Sequence, residues 1–237
     1  MLFATANNLG YQTRKAMKRE MYQRAKCLYD NAYEPDQLSL IQSVILLGFW
    51  YTDTKDRTEA WHWTGIAISF SQTLGSHRSP ESLLDTNRLP ERRRRLFRRI
   101  WWSCFVRDRW LSLAKGRPMR INPNDCDVPL QSMDDITQEL DTLPAATRNR
   151  YLPFSPHTVA RLWLKLVTIS VTLGNILRIH YQHTGPKPSA EEVRRSEEEI
   201  QGRALTEEDM QQNNLILQVF AHQLQLFYEY VSGDRYR

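Results

Sequence analysis

Apolar residues recur at intervals of three and four along almost every long segment of this 237-residue chain. That spacing places them on one face of an α-helix, and no segment shows the strict polar–apolar alternation of a half-buried strand. The pattern therefore predicts an all-α fold, a single helical domain of about seven to eight helices. The helices are expected over residues 12–29, 38–51, 60–74, 91–115 and 157–181, with two more beginning after Ser189 and Thr206.

Residues 119–156 interrupt this pattern. Five prolines stand there among several Asp and Asn residues, a composition that disfavours long helices. We expect an irregular, proline-rich excursion lying over the helical body, followed by a helical C-terminal part over residues 157–231. A chain of 28.0 kDa is large enough to bury a core without disulfides or structural metals.

The positive charge of the chain is concentrated in one window. Residues 90–120 hold eleven Arg or Lys and two acidic residues, whereas the whole chain has a net charge of +5. The arginines alternate with bulky apolar residues at helical spacing, and Arg109 is expected to face away from the apolar side. The window therefore predicts a solvated basic flank on a core helix, or alternatively a nuclear-import or nucleic-acid-binding patch.

Asp108 stands on the apolar line of that predicted helix. A buried carboxylate must be paired or hydrogen-bonded, because an isolated charge is strongly destabilising away from water. Arg117, Arg78 and the backbone N–H groups of the following loop are the available partners. We therefore predict that Asp108 has a structural role and fixes the turn formed by Gly116, Arg117 and Pro118 to the helices.

The sequence contains no recognisable catalytic or metal-binding pattern. Cys27, Cys104 and Cys126 are widely dispersed, without the paired spacing of a zinc site. His180 and His183 are three residues apart, which could place them on one helix face, but no supporting ligand is nearby. Nucleophile-elbow, metalloprotease and phosphate-loop patterns are also missing, so we expect no enzyme activity. No secretory signal and no uninterrupted apolar run of about 20 residues is seen, so we expect no membrane association.

Two ordered blocks, residues 40–78 and 92–130, carry a resemblance to a known family. The first contains an Ala-Trp-x-x-x-Gly-x-Ala helix that ends in Leu-Gly-x-His-Arg, and the second contains Trp-Trp, Asp-Arg, Gly-Arg-Pro and Asp-Val-Pro-Leu. These blocks resemble the fungal-specific transcription factor domain, the middle homology region of fungal zinc-cluster regulators, and in particular its cutinase transcription factor type. The matching residues are Trp61, Gly65, His77, Arg78, Trp101, Asp108, Arg109, Gly116, Arg117, Pro118, Asp127 and Pro129.

The resemblance implies that residues 1–237 form a regulatory domain whose core blocks lie within 20–130. Such a domain would modulate RNA polymerase II transcription in the nucleus through intramolecular, partner or effector contacts. Its partners would be other transcription regulators or the remainder of a longer regulator. Zinc and DNA would be bound only by a separate six-cysteine zinc-cluster domain, whose pattern this sequence lacks. We therefore expect no cofactor in this chain.

An alternative interpretation is an α-helical small-molecule sensor or partner-binding scaffold without a role at DNA. Gly65 is expected to let a second helix approach closely, since it has no side chain. Large aromatics around it could line a pocket for an apolar effector, or they could simply fill the core. The candidate pocket residues are Trp61, Trp63, Phe70, Trp101 and Phe105.

Overall fold

A computed structural model describes residues 13–49, 58–79, 90–151, 155–180 and 188–202. These residues contain eight α-helices and no strand, which confirms the all-α prediction. The helix expected after Thr206 lies outside the described residues. The helices are α1 (Arg14–Asp30), α2 (Gln37–Leu47), α3 (Thr58–Thr73), α4 (Glu91–Lys115), α5 (Met133–Asp141), α6 (Ala145–Tyr151), α7 (Pro156–His180) and α8 (Ala190–Gly202).

The helix ends follow from local side-chain chemistry. The side chains of Thr13 and Asp36 accept hydrogen bonds from backbone N–H groups in the first turns of α1 and α2. Ser132 forms a capping box at the start of α5, and Ser189 exchanges hydrogen bonds with Glu192 at the start of α8, as its sequence pattern predicts. These caps explain why most predicted boundaries agree with the structure within a few residues.

The core is built around the two longest helices. Helix α4 packs against α3 and α7, α2 packs against α3, and α5 covers part of α7. The centre of the core is apolar and rich in tryptophan, and four indole N–H groups in and around it donate hydrogen bonds. Trp63 donates to the Tyr22 hydroxyl, and Trp110 donates to the Ser170 hydroxyl. Trp102 donates to the Pro129 carbonyl, and Trp163 donates to the side-chain oxygen of Gln131.

The proline-rich segment contains more helix than an irregular excursion would. A short 3₁₀ turn, Pro123–Asp125, is followed by α5 and α6, which have 9 and 7 residues. No long helix forms there, as expected, but the stretches between prolines are long enough for two short helices. The segment is therefore less irregular than the sequence predicts, although it contains no long helix among its described residues.

Helix α7 is apolar over most of its length. Residues Pro156–Ile179 meet the length and hydropathy of a membrane span, although Lys165 interrupts their apolar run. Half of the most apolar window is buried against other parts of the chain. That burial is what the core helix of a folded domain shows, and α7 contacts α4, α5 and α8.

Candidate functional site

The matched motif residues converge where α4 ends and the chain turns back. Gly116 ends the helix in the left-handed conformation, with φ of 57°, which residues with a Cβ rarely adopt. The N–H of Arg117 donates to the Ser112 carbonyl at 3.1 Å, and this bond closes the turn. The loop of residues 117–132 then runs back along α4, so the second sequence block forms one connected unit.

Asp108 fixes this loop to α4 at Arg120 and Ile121, a few residues beyond the turn of residues 116–118 that the sequence predicts. Its carboxylate accepts hydrogen bonds from Nη1 of Arg109 at 2.6 Å and from the backbone N–H groups of Arg120 and Ile121 at 3.0 and 3.1 Å. Asp108 is therefore buried and fully paired, as predicted. The loop amides are its partners, as one of the proposed alternatives stated, and neither Arg117 nor Arg78 is.

Arg109 is completely buried, with 0% exposure, so the prediction that it faces away from the core was wrong. Its Nη2 donates to the Ile121 carbonyl at 2.9 Å, and its guanidinium carbon lies 4.1 Å from the centre of the Phe105 ring. Burial lowers the pKa of Arg109 and raises the pKa of Asp108, and each charge opposes the shift of the other. The two residues form one buried ion pair that holds the loop.

Gly174 explains how α7 accommodates a buried arginine. A Cβ built on this glycine would lie 2.5 Å from Nε of Arg109, far inside van der Waals contact. The Nε group lies against this glycine and has no hydrogen-bond partner in the described part of the chain. Sequence reasoning missed this residue, although a lone glycine inside a long helical pattern is a known sign of close packing.

Asp127 makes a second connection, between the loop and the end of α3. Its Oδ1 accepts from Nε of Arg78 at 3.2 Å and from the N–H of Ser79 at 2.5 Å, while its own N–H donates to the His77 carbonyl. The Arg78 and Asp127 side chains are 50% and 40% exposed, so their ion pair contributes little energy. The contact therefore joins Arg78, at the end of the first sequence block, to Asp127 in the second.

Two arginines of the loop lie over the ring of Trp61. The guanidinium carbon of Arg120 lies 4.3 Å from an indole ring centre, and that of Arg117 lies 5.5 Å from it. A Cβ on Gly65 would lie 2.1 Å from Nη1 of Arg120. Gly65 therefore makes room for a guanidinium, and the prediction that it admits a second helix was wrong.

The remaining aromatics of the candidate effector pocket mostly belong to the packed core. Trp63, Trp101 and Phe105 are each buried in the central cluster. Phe70 is half-buried and borders a surface cleft on the side of α1. The core interpretation accounts for the three buried rings, while a role of the five aromatics in effector binding stays a prediction.

The arginine-rich start of α4 is less solvated than its sequence suggested. Arg94 pairs with Glu91 at 2.6 Å, and Arg98 pairs with both Glu91 and Asp135, at 3.0 and 3.3 Å. The Arg98 side chain is 11% exposed. Arg98 therefore connects α4 to α5, as does Arg95 through Gln138, and only part of the window forms an exposed basic flank.

The described residues contain no group of three or more His, Cys, Asp or Glu side chains that could hold a metal ion. His183 lies outside the described residues. Cys104 is buried, which raises the pKa of its thiol to about 12, and partial burial raises that of Cys126 to about 11. Both thiols are therefore protonated at neutral pH.

The structure defines an all-helical domain in which one buried ion pair and one loop organise the motif residues. Comparison with known sequences identifies the family: the model for the fungal specific transcription factor domain matches residues 3–234. The chain belongs to this family. No solved structure matches it.

Its curated relatives are fungal regulators. The chain is 42% identical to cutinase transcription factor 1 beta of Fusarium vanettenii over 153 residues. This aligned stretch is 65% of this chain and 16% of that protein. It is 33% identical to cutinase transcription factor 1 alpha of the same fungus, over 68% of this chain and 17% of the relative. An acetamidase regulatory protein of Aspergillus fumigatus is 38% identical over 52% of this chain and 16% of its own length. The chain thus spans about a sixth of these relatives.

Proposed function

We propose that this chain is the regulatory domain of a fungal transcription regulator of the zinc-cluster type. The single observation that carries the proposal is the family match over residues 3–234. The curated relatives, named as transcription factors and as a regulatory protein, support a role in transcription and a nuclear location, and they favour regulation over catalysis.

The domain would act through contacts, either with the rest of a longer regulator or with other transcription regulators. Contact with DNA, together with any zinc, would belong to a separate zinc-cluster domain. The described residues connect three elements: the Asp108–Arg109 pair joins α4 to the following loop, and Asp127 joins that loop to the residues after α3. A surface held in this way can transmit a change at one side of the loop to a partner bound at the other.

A reporter experiment in a fungal host tests this proposal. The chain is placed between a heterologous DNA-binding domain and an acidic activation segment, and reporter output is compared with that of an unrelated helical domain of the same length. We expect the chain to change the output relative to the unrelated domain. Equal output from the chain and the unrelated domain would contradict a regulatory role.

A further inference from the structure

A cleft of about 300 Å³ lies between the loop that follows α4 and the carboxyl-terminal end of α7. Its walls are residues 116–123 of the loop together with Leu177 and Arg178 of α7. Ligand pockets in proteins are mostly apolar and begin at about 300 Å³, so the cleft suits a small molecule. The loop side is fixed, because Asp108 holds two amides of the cleft wall.

The charge of the cleft has one sign. Arg117, Arg120 and Arg178 line it, and none of the other described residues in its wall is acidic. Among the described residues, none of the three arginines forms an ion pair; the guanidinium groups of Arg117 and Arg120 lie over Trp61, and that of Arg120 also lies against Gly65. Positive side chains that line one cleft raise its electrostatic potential, which favours a bound anion.

The rest of the lining is largely apolar and is provided by Pro118, Met119, Ile121 and Leu177. We propose that the cleft binds a small organic carboxylate, with its charged group at the arginines and its apolar body against these side chains. Guanidinium groups suit this ligand because their planar N–H pairs match the two oxygens of a carboxylate. The site would supply the effector contact of the proposed regulatory function, and the inference rests on that function only for its biological meaning.

Isothermal titration with the 237-residue chain tests the site, with 4-phenylbutyrate as the probe. We expect saturable binding at one site per chain. The Arg117→Gln/Arg178→Gln variant should bind the probe about tenfold more weakly or worse, because it loses charge-assisted hydrogen bonds. Both arginines are exposed, so this variant should keep the wild-type melting temperature.

Three comparisons make the test specific. The Arg19→Gln/Arg24→Gln variant removes the same charge from exposed positions of α1, and its affinity should equal that of the wild type. The neutral analogue 4-phenylbutanol and inorganic phosphate each lack half of the recognised chemistry and should bind far more weakly. Absence of binding, equal binding of either analogue, or equal loss in the α1 variant would overturn the proposal. None of these results depends on the reporter output, so the regulatory role is tested separately.

Discussion

Replacement of Asp108 by asparagine should destabilise the chain severely. The substitution keeps the shape of the side chain but removes its charge, and Arg109 is then left as a buried cation without a negative charge beside it, since both residues are 0% exposed. Breaking a buried pair in this way costs about 3–5 kcal/mol. Weaker contacts to the amides of Arg120 and Ile121 add to that loss.

Thermal unfolding, followed by far-ultraviolet circular dichroism, measures this effect. A domain of about 150–250 residues loses about 2–4 °C per kcal/mol, so the melting temperature of Asp108→Asn should fall by roughly 10 °C. Asp125 is an exposed aspartate in the same loop, and Asp125→Asn should change the stability by no more than about 0.5 kcal/mol. A loss below about 1 kcal/mol for Asp108→Asn would refute the idea that the pair is buried and tightly coupled.

Two glycines and one cysteine give further tests. Gly174→Ala should lower the free energy of unfolding by about 1–3 kcal/mol in urea titrations, because its Cβ would meet the buried Arg109. Gly65→Ala should leave the free energy of unfolding nearly unchanged, since its Cβ would meet the end of the exposed Arg120 side chain, which can move away. A loss as large as that of Gly174→Ala would contradict this expectation. Burial in the folded state raises the pKa of Cys104 to about 12, above its ordinary value of 9.0, so rising pH favours the unfolded chain, by about 1 kcal/mol at about pH 10. Cys104→Ala should remove that part of the alkaline destabilisation, and an unchanged pH dependence would show that the thiol does not carry it.

Local features of the helices were predictable from sequence, because they depend on neighbours within one turn. Pro90 precedes α4, Gly116 follows it and Ser189 caps α8, and each signal acts over a few residues. Asp108 could also be placed, since it interrupts an otherwise apolar helix face and must therefore be paired. The prediction of its loop partners needed only the rule that buried charges find donors.

The burial of Arg109 could not be predicted in the same way. Its position follows from an absent side chain at Gly174, 65 residues later in the chain, and from a carbonyl that the loop presents at Ile121. Helical periodicity assigns a charged residue to the outer face, and only the tertiary arrangement reverses that assignment. The role of Gly65 could not be predicted for the same reason, because the side chain that it accommodates, Arg120, lies far away in the sequence.

A buried ion pair is weak evidence for stability, because well-packed apolar residues often replace such pairs at no loss. The Asp108–Arg109 pair does something that apolar residues cannot: it binds two loop amides and one loop carbonyl in fixed positions. We therefore infer that the pair fixes the position of the loop, and with it the shape of the cleft whose walls include Arg120 and Ile121.

The double variant Asp108→Leu/Arg109→Met separates geometry from stability. It leaves no unpaired buried charge, so its melting temperature should lie above that of Asp108→Asn, although the loop amides lose their acceptor. The loop should nevertheless lose its fixed position, and titration with 4-phenylbutyrate should show much weaker binding than in the wild type. Wild-type affinity in this double variant would show that the pair does not position the cleft. A melting temperature below that of Asp108→Asn would show that the penalty arises from the lost loop contacts and not from an unpaired charge.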